Sequence, residues 1–320
     1  MPKNQFEKVF IFLDTDKHAS AFDILTTIDL LPKISVLKYE NVTAEDAEKI
    51  VRDAMFPRGP EGAKHTKIFI NGQDFEQAKK ILARVQKSMF PPFELAVIID
   101  PRGAYTTASA AVAKTLGLLS RRNLGSLDGK TVSVLAGTGP VGQTAALLYA
   151  SEKANVTVTS RSFQKASAQA AMVNEEVKAN RVKGVEAKTP EEVGKAIEGS
   201  EVILSAGAAG TQLLPLTVLK EFGRKCRVVV DINAVPPLGV EGLGADADGE
   251  QIASSISGVG ALVVGKLKNK VEAELILRAA EESKGIFDYR TAYEIAKKLV
   301  LEKKKEQNPS KTETPKHWLP

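Results

Sequence analysis

VSVLAGTGPVGQTAALL, residues Val132–Leu148, carries a strand, a turn and the start of a helix in one run. The apolar β-type segment Val132 to Ala136 breaks into Gly137, Thr138, Gly139, Pro140, Val141 and Gly142. A helical pattern then begins, with Ala145, Leu147, Leu148 and Ala150 available to one packed face. Glycine at the first position permits a tight turn, at the second a close approach of backbone to a pyrophosphate, and at the third close packing of helix on strand. The new helix offers unpaired N–H groups and partial positive charge to the phosphates. A glycine-rich turn alone is weak evidence; strand before and helix after point to a dinucleotide site.

The following strand, Asn155 to Thr159, ends in Ser160, Arg161 and Ser162, with Lys165 one turn further on. A site selective for NAD normally places Asp or Glu here to hold the ribose 2′-hydroxyl. With no carboxylate present, Arg161 can stack on adenine and pair with a 2′-phosphate while Lys165 adds charge. The segment favours NADP and leaves NAD open; a solvated arginine at a helix start is the plain alternative.

A chain of 320 residues suggests two domains. The net charge of +5 is spread among interspersed acids and bases, which suits an anionic cofactor and substrate and does not form a nucleic-acid footprint. A single cysteine, Cys226, allows no disulfide within the chain and fits a reducing cytoplasm. There is no signal peptide and no run long enough to span a bilayer. His18, His65 and His317 lack ligand-spaced partners, so no metal site and no flavin are expected.

Strands are expected at Lys8–Leu13, Ile34–Leu37, Lys67–Ile70 and Leu95–Ile99. Helices are expected near Ser20–Leu31, Thr43–Met55, Asp74–Lys87 and Tyr105–Leu119. That alternation predicts an α/β fold with a mainly parallel sheet. Further strands recur at Val132, Val156, Val182, Val202 and Val228, with a last one at Ala261–Val264, and helices follow at about Lys268–Ser283 and Asp288–Leu301. The expected organisation is a substrate domain over residues 1–115, completed by C-terminal helices at about 275–301. A Rossmann-type doubly wound domain covers 116–274, and the polar, proline-containing segment 302–320 is read as a disordered tail.

Ligands of open parallel sheets sit outside the carboxyl ends of the strands. Candidates for the substrate side are therefore Asp14, His18, Ser20, Asp100, Tyr105, Thr106 and Thr107. Candidates for the cofactor side are Ala206, Gly207, Ala208, Asp231, Asn233 and Ala234, with Gly260 and Ala261 later in the chain. Singly, each is more often a cap or turn residue. His18 reads equally well as a solvated loop residue. The Tyr-x-x-x-Lys pairs Tyr149/Lys153 and Tyr293/Lys297 read as ordinary helix-face neighbours.

Several segments together resemble one family. They are DTD (Asp14 to Asp16), Phe22–Asp23, PRG after Phe56, FING from Phe69, PPF from Pro91, TTA from Thr106, VLAGTGPVG, LSAG, NAVPPLG, VGAL and GIFDYRTAYEIAK. The chain is similar over nearly its whole length to the NAD(P)-dependent methylene-tetrahydromethanopterin dehydrogenases. The resemblance implies oxidation of the methylene group bridging two pterin nitrogens to the methenyl form, with NADP or NAD as acceptor. It implies that Asp23, Arg58, Asp100, Thr106 and Thr107 line the pterin side, and that Lys268 is the catalytic-site lysine, binding or orienting the pterin rather than moving a proton. It implies a homo-oligomer, trimer or hexamer, and no membrane partner. On the residues alone, Lys268 reads equally as a solvated lysine at the first turn of a helix. Two alternatives stay open: a methylene-tetrahydrofolate dehydrogenase, and a non-catalytic NADP-binding regulator.

Overall fold

The computed structural model describes residues 6–253 and 255–307. The first half alternates β1 (Lys8–Asp14), α1 (Ala21–Leu30), β2 (Ile34–Tyr39), α2 (Ala44–Met55), α3 (Gly59–Ala63), β3 (Thr66–Asn71), α4 (Phe75–Ser88), β4 (Ala96–Ile99) and α5 (Ala104–Arg121). Local chemistry fixes the helix starts. Ser20, Thr43 and Asp74 cap α1, α2 and α4 by accepting the N–H groups of Asp23, Asp46 and Gln77.

The second half runs β5 (Thr131–Leu135), α6 (Pro140–Ser151), β6 (Asn155–Ser160), α7 (Phe163–Val177), β7 (Val182–Glu186), α8 (Pro190–Ile197), β8 (Val202–Ser205), α9 (Leu216–Phe222) and β9 (Val228–Asp231). Then come the hairpin β10 (Asp248–Ala253) and β11 (Ile256–Val259), and the long α10 (Ala261–Glu281). The chain returns to the first sheet through β12 (Gly285–Phe287) and α11 (Tyr289–Gln307).

The described residues form two sheets. The first, β12-β4-β3-β1-β2, is wholly parallel and changes winding direction between β1 and β3. The second, β10-β11-β9-β8-β5-β6-β7, is parallel apart from β10 and reverses between β5 and β8. Each is a doubly wound arrangement, and each has one switch point, where connections leave toward opposite faces and open a crevice at the carboxyl ends. Between the sheets lies α5, whose Ala108, Ala110, Ala111 and Ala113 are fully buried. Small side chains let it pack closely against α6, α10 and α11. One continuous core joins the face of the first sheet carrying Phe10, Phe12 and Phe69 to Val132, Val134 and Val156 of the second. A second core, with Ile11, Leu13 and Ile68, fills the other face beneath α2 and α4.

Four expectations need correction. Ala261–Val264 is the first turn of α10, not a strand; the last strands of that sheet are β10 and β11. Lys268 therefore lies in the third turn of its helix rather than the first. The short β12 had no place in the expected topology. Finally, α11 continues to Gln307, so the segment expected to be disordered from Glu302 begins as helix; residues 308–320 lie outside the described residues.

Candidate active site

The turn after β5 has the dimensions its glycines imply. A Cβ on Gly142 would fall 2.6 Å from Gly137 Cα, and one on Gly137 would fall 2.7 Å from a Val158 methyl, so neither position admits a side chain. Above Gly139 there is room: an added Cβ would meet only Ala136 O, at 3.6 Å. Pro140 takes the first position of α6, where a missing N–H costs nothing. The turn is tied to the next strand by Gly137 N–H donating to Thr159 O and by Thr138 Oγ1 donating to Ser160 Oγ, 3.2 Å. An open helix N-terminus beside a bare glycine fits a pyrophosphate.

Arg161 and Lys165 are exposed beyond β6, and neither side chain has a hydrogen bond or ion pair among the described residues. Ser162 is occupied in capping α7 through Lys165 N–H. Across the switch point, Ala206 N–H donates to Leu135 O, and Gly207 and Ala208 continue the loop. Asp231 is buried and accepts from the N–H groups of Asn233 and Val240, while burial raises its carboxyl above the usual range. Asn233 accepts from Gly210 and Val235 N–H and donates to Pro237 O. Both side chains thus shape the loops rimming the crevice. Ala234 is exposed there, and Gly260 caps α10 where a Cβ would fall 2.1 Å from Gly244 O.

Starting from Ala261 at the edge of the second sheet, α10 carries Lys268 roughly 10 Å along the axis, to the carboxyl edge of the first. There Lys268 is 14 % exposed. Its stem lies against Gly103, where an added Cβ would fall 2.9 Å from Lys268 Cε, and its ammonium sits over the Phe22 ring at 4.5 Å from the centroid. One turn on, Glu272 is 1 % exposed and binds the ammonium through Oε2. Gly103 is required twice, for this approach and for its φ of 68°.

Asp100, fully buried after β4, accepts from Tyr105 N–H (2.8 Å), Thr106 N–H (3.2 Å) and Thr106 Oγ1 (2.6 Å). Burial raises its carboxyl, against Lys268 and these donors. At the switch point Asn71 Nδ2 donates to Asp23 Oδ2 at 2.5 Å, and Arg102 is held at φ 49° with its N–H on Asn71 Oδ1. Asp14, buried at the end of β1, accepts from Asp16 and Ser20 N–H; burial raises its carboxyl too.

Lys268, Asp23, Asp100 and Thr106 therefore meet in one cluster, with Asp14 and Ser20 shaping the adjoining loop. Thr107 is half-buried on the next step of α5, and His18 is exposed in the β1–α1 loop. Two candidates lie elsewhere. Arg58 donates to Thr66 Oγ1 and Glu7 O at the amino end of the first sheet, opposite the crevice, because α3 turns the chain back before β3. The Tyr105 ring packs in an edge-to-face cluster with Phe75 and Tyr289. Sequence reasoning missed Glu272 and Asn71. The spacing Lys268-x-x-x-Glu272 was a visible signal for the first; for Asn71, a strand-end amide gives little.

Tyr149 bonds Thr115 Oγ1 in the core, and Lys297 pairs with Glu152, so neither Tyr-x-x-x-Lys pair joins the cluster. Cys226 is buried with its thiol pushed up to about 12. Among the described residues no group of His, Cys, Asp and Glu is arranged to hold a metal, and no helix is long and apolar enough to cross a membrane.

Comparison with known proteins bears on the same two sheets. The family model described as methylene-tetrahydromethanopterin dehydrogenase, N-terminal, matches residues 21–102, and that described as shikimate/quinate 5-dehydrogenase matches residues 118–241. The NAD(P)-dependent methylenetetrahydromethanopterin dehydrogenase of Methylorubrum extorquens is 32% identical over 286 residues, covering 89% of this chain and 96% of its own. The chain belongs to the methylene-tetrahydromethanopterin dehydrogenase family. Another protein of that bacterium, the bifunctional protein MdtA, is 34% identical over 294 residues, 92% of this chain and 99% of the relative. Among solved structures, ornithine carbamoyltransferase from Pyrococcus furiosus superposes with a TM-score of 0.51 at 10% identity, over 86% of this chain and 84% of that one. That likeness is of fold alone.

Proposed function

We propose that this protein is an NAD(P)-dependent dehydrogenase that takes a hydride from the methylene group of methylene-tetrahydromethanopterin, leaving the methenyl form. The observation that carries the reading is α10. It starts at the carboxyl edge of a sheet with a pyrophosphate turn and delivers Lys268 to the carboxyl edge of a second sheet. Residues 116–274 are the cofactor side. Residues 1–115, with the C-terminal elements that return to them, are the pterin side.

The residues divide the work. Gly137, Gly139 and the N-terminus of α6 would hold the pyrophosphate, and Arg161 with Lys165 the 2′-phosphate of NADP, the preferred cofactor. When bound, the nicotinamide supplies the hydride acceptor. Departure of hydride leaves a resonance-stabilised cation between two nitrogens, so the bridging carbon needs no general base. What the protein must supply is alignment and exclusion of water. Lys268 suits a hydrogen bond to a pterin carbonyl. Its positive charge would oppose the forming cation, and the Asp23 and Asp100 carboxylates around it offset that charge.

A homo-oligomer is part of this reading. Phe22, Leu25 and Ile28 form an exposed apolar row on α1, and Leu37 and Tyr39 are exposed on the neighbouring edge strand β2. Such a row beside an unpaired edge suits a second copy of the chain.

Purified protein given methylene-tetrahydromethanopterin and NADP should develop the near-ultraviolet band of reduced nicotinamide, faster than with NAD. The folate analogue should support a slower rate. Activity with the folate carrier alone would replace the proposed substrate, and no reduction with either carrier would remove the catalytic reading.

A further inference from the structure

Carboxylates outnumber cations around Lys268. From α10 come Lys268 and Glu272, from α1 Asp23 and the Phe22 ring, and from the end of β3 Asn71. The β4–α5 connection contributes Asp100, Gly103 and Thr106. The charged groups acting on Glu272 are Lys268, Asp23 and Asp100.

Glu272 Oε2 takes the Lys268 ammonium. Its other oxygen, Oε1, is buried and receives no donor among the described residues. Within hydrogen-bonding reach stands the Asp23 carboxyl, itself an acceptor. Two facing carboxylates can bond only when one of them carries a proton. The Asn71 amide is fixed, its Oδ1 accepting from Gly72 N–H and Arg102 N–H, each at 2.8 Å, so that Nδ2 donates to Asp23 Oδ2. With that oxygen taken by Asn71 and Glu272 Oε2 taken by the ammonium, the proton lies between the two remaining oxygens, and Glu272, whose Oε1 is buried without a donor, is assigned as its holder. A proton there also completes the bonding of the orphaned Oε1, which otherwise carries a desolvation cost.

We propose that Glu272 is a positioning residue: as a carboxylic acid bonded to Asp23, it holds Lys268 through a neutral oxygen and leaves the ammonium's charge directed to the open side of the crevice. When that proton leaves, Lys268 and Glu272 become a full ion pair, Asp23 and Glu272 repel, and the ammonium is drawn inward. Burial and the Asp23 contact push Glu272 up to about 8, so the change falls just above neutral pH. The kinetic arm of this inference rests on the dehydrogenase reading; the spectroscopic arm does not.

The test compares wild type with Glu272→Gln and Asp23→Asn. Infrared difference spectra at neutral pH should show the carbonyl band of a protonated carboxylic acid in wild type, absent from Glu272→Gln. It should be absent also from Asp23→Asn, whose amide can donate to Oε1 and leave Glu272 ionised. In the kinetic arm, wild-type kcat/KM for the methylene carrier should decline on the alkaline side as the cluster loses its proton. Glu272→Gln should lack that decline, whatever its level at pH 7. Should Glu272→Gln fail to melt cooperatively, Asp23→Asn carries both measurements. A wild type without the protonated band, or one whose band and alkaline decline survive both substitutions, overturns the proposal. An intact band in a chain that reduces no nicotinamide would count against the dehydrogenase reading and leave the proton assignment standing.

Discussion

At the scale of single residues, the proposed chemistry depends on what Lys268 touches. It is partly shielded, lies on an aromatic ring and is tethered one turn away, whereas Lys266 on the same helix is exposed. Lys268→Ala should lower kcat/KM by tenfold or more, about 1.4 kcal/mol, with cofactor affinity and melting preserved; Lys266→Ala should change little. Equal small effects would make Lys268 an ordinary surface residue. Arg161 has no hydrogen-bond or ion-pair partner among the described residues, so its replacement should act through the ligand alone. Arg161→Ala should weaken NADP by about 1.5–3 kcal/mol, the usual range for a charge-assisted hydrogen bond, and leave NAD nearly unchanged in a binding titration. Equal loss for both cofactors would remove the 2′-phosphate assignment.

Glu272 also ties stability to pH. Its folded carboxyl is pushed up to about 8, from an ordinary value of 4.5. Between these values the folded chain holds a proton that the unfolded chain has released, so stability is greatest below pH 4.5 as far as this group is concerned and falls as pH rises through the window. The slope is at most about 1.4 kcal/mol per pH unit. Glu272→Gln cannot release that proton. Its melting temperature relative to wild type should rise from pH 5 to pH 8, and a constant difference would contradict the assignment.

At the scale of elements, the strands and helices whose ends carry their own chemistry were legible in the sequence. The capped starts at Ser20, Thr43 and Asp74 and the glycine turn before α6 announce themselves through side chains that serve the backbone nearby. What stayed hidden depends on distant partners. Ala261–Val264 is apolar enough for a strand, and only the preceding loop, which accepts Gly260 N–H at Ala247 O and Leu262 N–H at Ala245 O, shows that a helix begins there. The three residues of β12 have no pattern of their own and become a strand by pairing with β4. For the same reason Asp23 and Asp100 were readable as strand-end or family candidates, while Asn71 and Glu272 acquire meaning only once α10 lies across both sheets. The exposed row on α1 belongs at this scale too. Leu25→Glu should lower the mass seen by light scattering while circular dichroism stays unchanged; an unaltered oligomer would place the contact elsewhere.

At the scale of the whole molecule, two doubly wound sheets share a common core, across which α5 packs on α6, α10 and α11. On the proposed reading the glycine turn after β5 holds the cofactor and the Lys268 cluster the pterin, and a hydride moves directly between the two bound molecules without a protein acid or base at the reacting carbon. The measurement that addresses this claim most directly uses methylene-tetrahydromethanopterin deuterated at the bridging carbon. After turnover with NADP in ordinary water, mass spectrometry of the reduced cofactor should find deuterium at the nicotinamide ring, in a single stereochemical position. Reduced cofactor carrying hydrogen from solvent, or deuterium lost to water, would contradict direct transfer across the crevice.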